Sequence, residues 1–100
     1  MAKSIMQAEK VCYITGYEGS GLDRHHVCHG SNRKNSEKYG LTVYLRHDIH
    51  MALHDHRPPY NGLDARLKRE AQKAFERENP NNAFDPRADF MRIFGRNYLI

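Results

Sequence analysis

Long apolar runs are missing from this chain of 100 residues. None approaches the ~20 apolar residues that a membrane-spanning helix needs, so no membrane partner is expected. The opening MAKSIMQAEK lacks the extended apolar core of a secretory signal. Cysteine is scarce. Cys12 and Cys28 alone cannot build a disulfide framework, which fits a reducing, cytoplasmic setting. Internal repeats and low-complexity tracts are absent too. Acidic residues are the minority charge, 12 against 16 Lys and Arg, for a net +4 and a pI near 9.2. That balance suits a partner for polyanions. A chain this short makes one domain with a small core, and a bound metal would support folding as well as chemistry.

Along the chain, Val11 to Thr15 (VCYIT) is β-prone and stops at Gly16. GYEGSG reads as a turn. Leu22 to Val27 (LDRHHV) reads as a short strand. Cys28 to Gly40, rich in Gly, Asn and charge, reads as an exposed loop. Leu41 to Leu45 (LTVYL) is the clearest strand, because Thr42, Val43 and Tyr44 favour extended backbone. A helix follows, with Asp48 as its N-cap and Pro58-Pro59 as its end. Leu63, Leu67, Ala71, Ala74 and Phe75 share one face at helical spacing. Pro80, Asn81 and Asn82 break that helix. Asp85-Pro86 opens another, with Phe90, Ile93 and Phe94 inward until Gly95. Strands come first and helices last, an α+β order.

Histidine is where the chemistry gathers. His50 and His54 lie about one helical turn apart and project from one face, so they can grip one ion. His25 would reach them as a third ligand if the Leu22–Val27 and Leu41–Leu45 strands pair antiparallel. Three neutral imidazoles leave coordination positions for water and a phosphate oxygen. Imidazole suits Zn²⁺, Ni²⁺ or Mn²⁺ better than Mg²⁺. That preference leaves the working ion open among the four. Adjacent strand residues point to opposite faces, so His26 addresses a substrate from the other side and can take a proton from water. A metal with a neighbouring base on a small basic chain points to phosphodiester hydrolysis. A His-x-x-x-His pair is common on solvated helices; its combination with the doublet carries the argument.

These residues also carry a resemblance. LDRHHV, GSNRKNSEKYG, LTVYL and IHMALH resemble the HNH endonucleases, whose fold is the ββα-metal finger. Cys12 to Leu99 resembles small phage and prophage HNH-type proteins, similar in turn to phage recombination-enhancement nucleases. The resemblance implies a single domain over 1–100, with a core motif over 22–56, an N-terminal strand and two packing helices over 63–95. It implies His26 as general base and His25, His50 and His54 as ligands of one divalent metal, as in the three-histidine colicin nucleases. The family's middle asparagine would fall at Tyr39-Gly40, so Asn35, or else Asn32, is the expected substitute. Thr15 stands where a second knuckle cysteine would, so no structural zinc is expected. Arg24, Arg33, Lys34, Lys38 and Arg46 would hold the phosphates flanking the cut. His47, Asp23, His29, Asp55 and His56 are left outside the metal's first ligands. The implied activity is metal-dependent cleavage of DNA to 5′-phosphate and 3′-hydroxyl ends, in the cytoplasm of a bacterial host. Charge alone would accept RNA as well. The rival reading is a non-catalytic, zinc-stabilised nucleic-acid-binding module, whose metal would be closed by a fourth ligand. A nuclease-fold remnant serving protein interaction is a third.

Overall fold

The computed structural model describes residues 3–78 and 85–99. Among them are two strands and four α-helices: β1 (Leu22–His26), α1 (Arg33–Lys38), β2 (Thr42–Arg46), α2 (His47–His54), α3 (Leu63–Glu78) and α4 (Pro86–Phe94). A single 3₁₀ turn, Gly30–Asn32, precedes α1. The fold is a small α+β domain in which β1 and β2 pair antiparallel, with His25 opposite Val43 and His26 opposite Thr42. Directly paired residues share a face. Asp23, His25, Val43 and Leu45 therefore occupy one face, and Arg24, His26, Thr42 and Tyr44 the other.

β2 runs straight into α2 with no intervening loop, Arg46 being the extended residue before the helix. Asp48 is therefore not the N-cap. It already lies inside the first turn, where its charge suits the helix dipole, and its carboxylate is taken by the Arg46 guanidinium at 2.9 and 3.1 Å. α2 buries Ile49, Ala52 and Leu53 and presents His50 to the sheet face that carries Asp23 and His25.

The expected strand over Val11–Thr15 does not form. Its backbone closes on itself as a turn, with Cys12 N–H donating to the Tyr17 carbonyl and Gly16 N–H to the Cys12 carbonyl. β-propensity loses here because Gly16 adopts a left-handed φ of 77° and reverses the chain. The N-terminal segment instead runs along the outer edge of β2. Ser4 Oγ donates to the Thr42 carbonyl at 2.5 Å, and Gln7 Oε1 accepts from Tyr44 N–H at 2.8 Å. Tyr13 N–H donates to the Tyr44 carbonyl. Side chains thus do what a third strand would do, closing an edge that would otherwise pair with other chains.

The expected loop from Cys28 to Gly40 also differs, since it contains α1. Tertiary contacts outweigh its polar composition. Ser36 is fully buried; its hydroxyl donates to the Leu41 carbonyl at 2.6 Å and accepts from Cys28 N–H at 3.2 Å. Asn32 donates to the Phe94 carbonyl and Asn35 to the Ile93 carbonyl, tying α1 to the end of α4. α1 ends at Lys38, and past its cap at Tyr39 the chain turns at Gly40, where φ is 72° and a Cβ would strike the Lys3 carbonyl.

α3 and α4 form as their periodicity predicts. The Asp85 side chain caps α4, and Gly95 ends it in the left-handed conformation. The proposed break at Pro80, Asn81 and Asn82 lies outside the described residues. Phe75, Phe90 and Phe94 are buried. Phe75 meets Phe90 edge-on at 5.3 Å, and Tyr39 after α1 meets Phe75 at 5.4 Å. The core thus lies between the sheet and α2 on one side and the α3–α4 pair on the other. Among the described residues no helix is long and apolar enough to cross a membrane.

Candidate metal centre

β1 and α2 bring His25, His50 and His54 together. One nitrogen from each lies within 4.8 Å of the others, close enough to hold a metal ion. His50 Nε2 and His54 Nε2 are 3.2 Å apart. Two nitrogens on one tetrahedral ion at bonds of 2.0–2.1 Å would be separated by about 3.3 Å. The third member supplies the sharpest sign. His25 is 2% exposed, and its Nε2 is buried with no hydrogen-bond partner. Such an orphan costs about 1–3 kcal/mol unless something fills its lone pair. Burial, with His50, His54 and His29 nearby, pushes the His25 pKa down to about 3. Its ring is therefore neutral near pH 7, the form that binds metal. Burial also lowers the pKa of His54, again with help from neighbouring histidines.

The sheet fixes the tautomer of His50. Asp23 Oδ2 accepts from His50 Nδ1 at 2.9 Å, which leaves Nε2 as the lone-pair nitrogen facing His54. A carboxylate behind a ligating histidine holds the ring and raises its basicity. Asp23 also accepts from His47 Nδ1 at 2.7 Å, and these hydrogen bonds, that of His50 foremost, depress its pKa. Asp23 thus braces His50 from behind, and His47 shares the same carboxylate oxygen. Asp23 lies two residues before His25 on a strand, so the shared face was readable from spacing alone.

His26 sits on the opposite face, beside the same hollow. That hollow, about 240 Å³, is lined by Arg24, His25, His26, His29, Arg33, His50 and His54. His26 Nε2 lies 3.1 Å from Glu37 Oε1. A carboxylate only accepts, so Nε2 carries the proton and Nδ1 is the basic nitrogen. Arg24 grips both Glu37 oxygens at 2.6 and 2.7 Å. The Arg24 guanidinium, then His26, hold the Glu37 pKa down to about 2. Glu37 is the orienting residue that the sequence did not single out, because the segment holding it read as a loop.

The other expected residues divide. Arg33 lines the histidine hollow and, with Lys34, an adjoining hollow of about 620 Å³. The charge of Arg24 is committed to Glu37. Lys38 lies over the Tyr39 ring, 5.3 Å from its centroid. Arg46 does not join the group: Asp48 binds it, it lies over Tyr17, and it lines a separate hollow with His47. Asn35 is turned to Asn32 and the Ile93 carbonyl, bracing α1 against α4. His29, left aside by the sequence reading, has its ring 5.5 Å from that of His54, and its Nε2 lies 3.1 Å from Asp64. Comparison with protein-family models, with curated proteins and with solved structures finds no match.

Proposed function

We propose that this protein is a metal-dependent endonuclease of the HNH type, hydrolysing phosphodiester bonds in DNA. One observation carries the reading above the rest. The buried His25, whose Nε2 has no partner, stands with two more imidazoles within reach of one ion, while the next residue in the chain, His26, is held by Glu37 beside the same hollow. A structural metal site has no use for an oriented fourth imidazole on the opposite face of the strand.

In this reading His25, His50 and His54 hold one divalent ion among Zn²⁺, Ni²⁺, Mn²⁺ and Mg²⁺. When bound, it would neutralise phosphate charge and stabilise the leaving oxygen. The chain's own residues do the rest. Glu37 keeps the proton on His26 Nε2, so Nδ1 is free to take one from an attacking water. Arg24 holds Glu37 in place for that task. Asp23 orients His50. Arg33, with Lys34 beyond it, draws the polyanion to the hollow, and these contacts recognise backbone rather than base edges.

The resemblance in the histidine segment, the antiparallel β1–β2 pair running directly into α2, with α1 in the connection between the strands, and the basic charge all support this reading. The rival, a zinc-stabilised binding module, draws on His29, whose ring is near enough to His54 to suggest a fourth ligand closing the site. A plasmid-nicking assay across Mg²⁺, Mn²⁺, Ni²⁺ and Zn²⁺, with His26→Ala as control, separates them. Nicking by the wild type and not by the variant is expected. Absence of nicking with every ion, alongside tight zinc binding, would leave the module as the better account.

A further inference from the structure

We infer that the N-terminal segment is the second wall of a nucleic-acid groove, with Lys3 and Lys10 contacting duplex DNA phosphates. The ligand class rests on the nuclease reading above. The geometry does not. A hollow of about 590 Å³ lies on the sheet face that carries Arg24 and Tyr44, and Lys3 and Lys10 line it. It shares Arg24 with the histidine hollow. The histidine hollow in turn shares His26 and Arg33 with the hollow of Lys34. The three hollows thus adjoin through shared lining residues, with His26 lining two of them.

The charge along these hollows is one-sided. Arg24 and Glu37 offset one another there, which leaves four cations, Lys3, Lys10, Arg33 and Lys34, against one carboxylate, Glu9. Glu37 is already engaged by Arg24 and His26. Lys10 lies over the Tyr44 ring, 5.4 Å from its centroid, and neither it nor Lys3 is ion-paired to a described acidic residue. A single small anion would call for donors converging on one pocket. Cations spread through adjoining hollows fit a ligand whose charges repeat along its length.

The segment is also held in place. Ser4 bonds the Thr42 carbonyl, Ile5 N–H the Gly40 carbonyl, and Gln7 bonds both Tyr44 N–H and the Val11 carbonyl. The backbone that carries Lys3 and Lys10 is therefore anchored to β2 and not a loose tail. Less ordering entropy is then lost when DNA binds.

The test is fluorescence anisotropy of a labelled DNA duplex with full-length His26→Ala protein, titrated across salt. Lys3→Gln/Lys10→Gln is compared with Arg69→Gln/Lys73→Gln, two exposed cations on α3. Each phosphate contact contributes a slope of roughly −0.9 in log affinity against log salt. The Lys3/Lys10 pair should flatten the slope by about two units and weaken binding on the order of tenfold per lysine at ~0.1 M salt. The α3 pair should leave the slope unchanged. Equal behaviour of the two pairs, or no duplex binding at all, overturns the inference. Cleavage by the wild type, with binding indifferent to Lys3 and Lys10, sinks the groove and spares the nuclease. Binding that depends on both lysines, with no cleavage under any of the four metals, does the reverse.

Discussion

Replacing His25 by leucine should stabilise the metal-free protein. Side-chain deletion in a core usually does the opposite, so the prediction is a demanding one. His25 Nε2 is buried and unpartnered, and an apolar side chain of similar size removes that desolvation cost, about 1–3 kcal/mol. For a domain of this size each kcal/mol moves the melting temperature by about 4–8 °C, so about 1–3 kcal/mol corresponds to a rise of roughly 4–24 °C in chelator at neutral pH. Acid should widen the gap. The unfolded His25 takes a proton near pH 6.5, while the folded one resists until about 3. Between those values the unfolded state binds more protons. The wild type therefore keeps its full stability only above 6.5 and loses it as the pH falls, by about 2 kcal/mol at pH ~5 from this residue. The leucine variant lacks that loss. Zinc should invert the ranking. A ligand at a hundred times its Kd adds ~2.7 kcal/mol to the wild type, and the variant keeps only two donors. Thermal unfolding followed by circular dichroism, at neutral pH and about pH 5, with chelator and with zinc, reads all three effects. If the variant melts below the wild type in chelator yet keeps the same zinc shift, His25 is an ordinary core residue and the metal centre is wrong.

His26→Ala should lower cleavage by ~10²–10⁴-fold with metal affinity near wild type by calorimetry; joint loss of metal and activity would make His26 a ligand. His54→Ala should abolish most of the metal-induced rise in melting temperature, since linkage requires the ligand set, and an undiminished rise would exclude it from the site. Asn35→Ala should cost about 1 kcal/mol of stability, because it strands the Ile93 carbonyl, and leave nicking intact. A large loss of nicking at unchanged stability would return Asn35 to the catalytic group.

The part of the site written in short-range spacing was legible in the sequence. His50 and His54 share a face because a helix turns once in about four residues, and His25 parts from His26 because strand neighbours alternate. The antiparallel pairing that joins them followed from two β-prone runs. What was not legible depended on distant partners. α1 is held by Ser36 beneath the hairpin and by Asn32 and Asn35 against the end of α4, and nothing local in GSNRKNSEKYG announces those contacts. Glu37 was missed for the same reason: its role exists only once α1 places it against Arg24 and His26. The Val11–Thr15 strand failed from the converse cause. Its composition favours extension, but the reversal at Gly16 and the side-chain bonds of Ser4 and Gln7 to β2 left it no ladder to join.

The buried Ser36 hydroxyl, placed between Cys28 N–H and the Leu41 carbonyl, bears on which histidine does what. A doublet is ambiguous: slipping β1 against β2 by one residue turns each strand side chain to the opposite face. His26 would then point at α2 and His25 at Glu37, ligand and base exchanged, with both residues still histidine. Identity alone cannot forbid that state. The pairing at the hairpin mouth resists it, because Val27 N–H bonds the Leu41 carbonyl directly and Ser36 bridges Cys28 N–H to that same carbonyl through a single oxygen. In the proposed reading, the division of labour between two identical neighbours thus depends on a register that a serine touching neither helps to hold, together with the Val27 N–H bond to the Leu41 carbonyl.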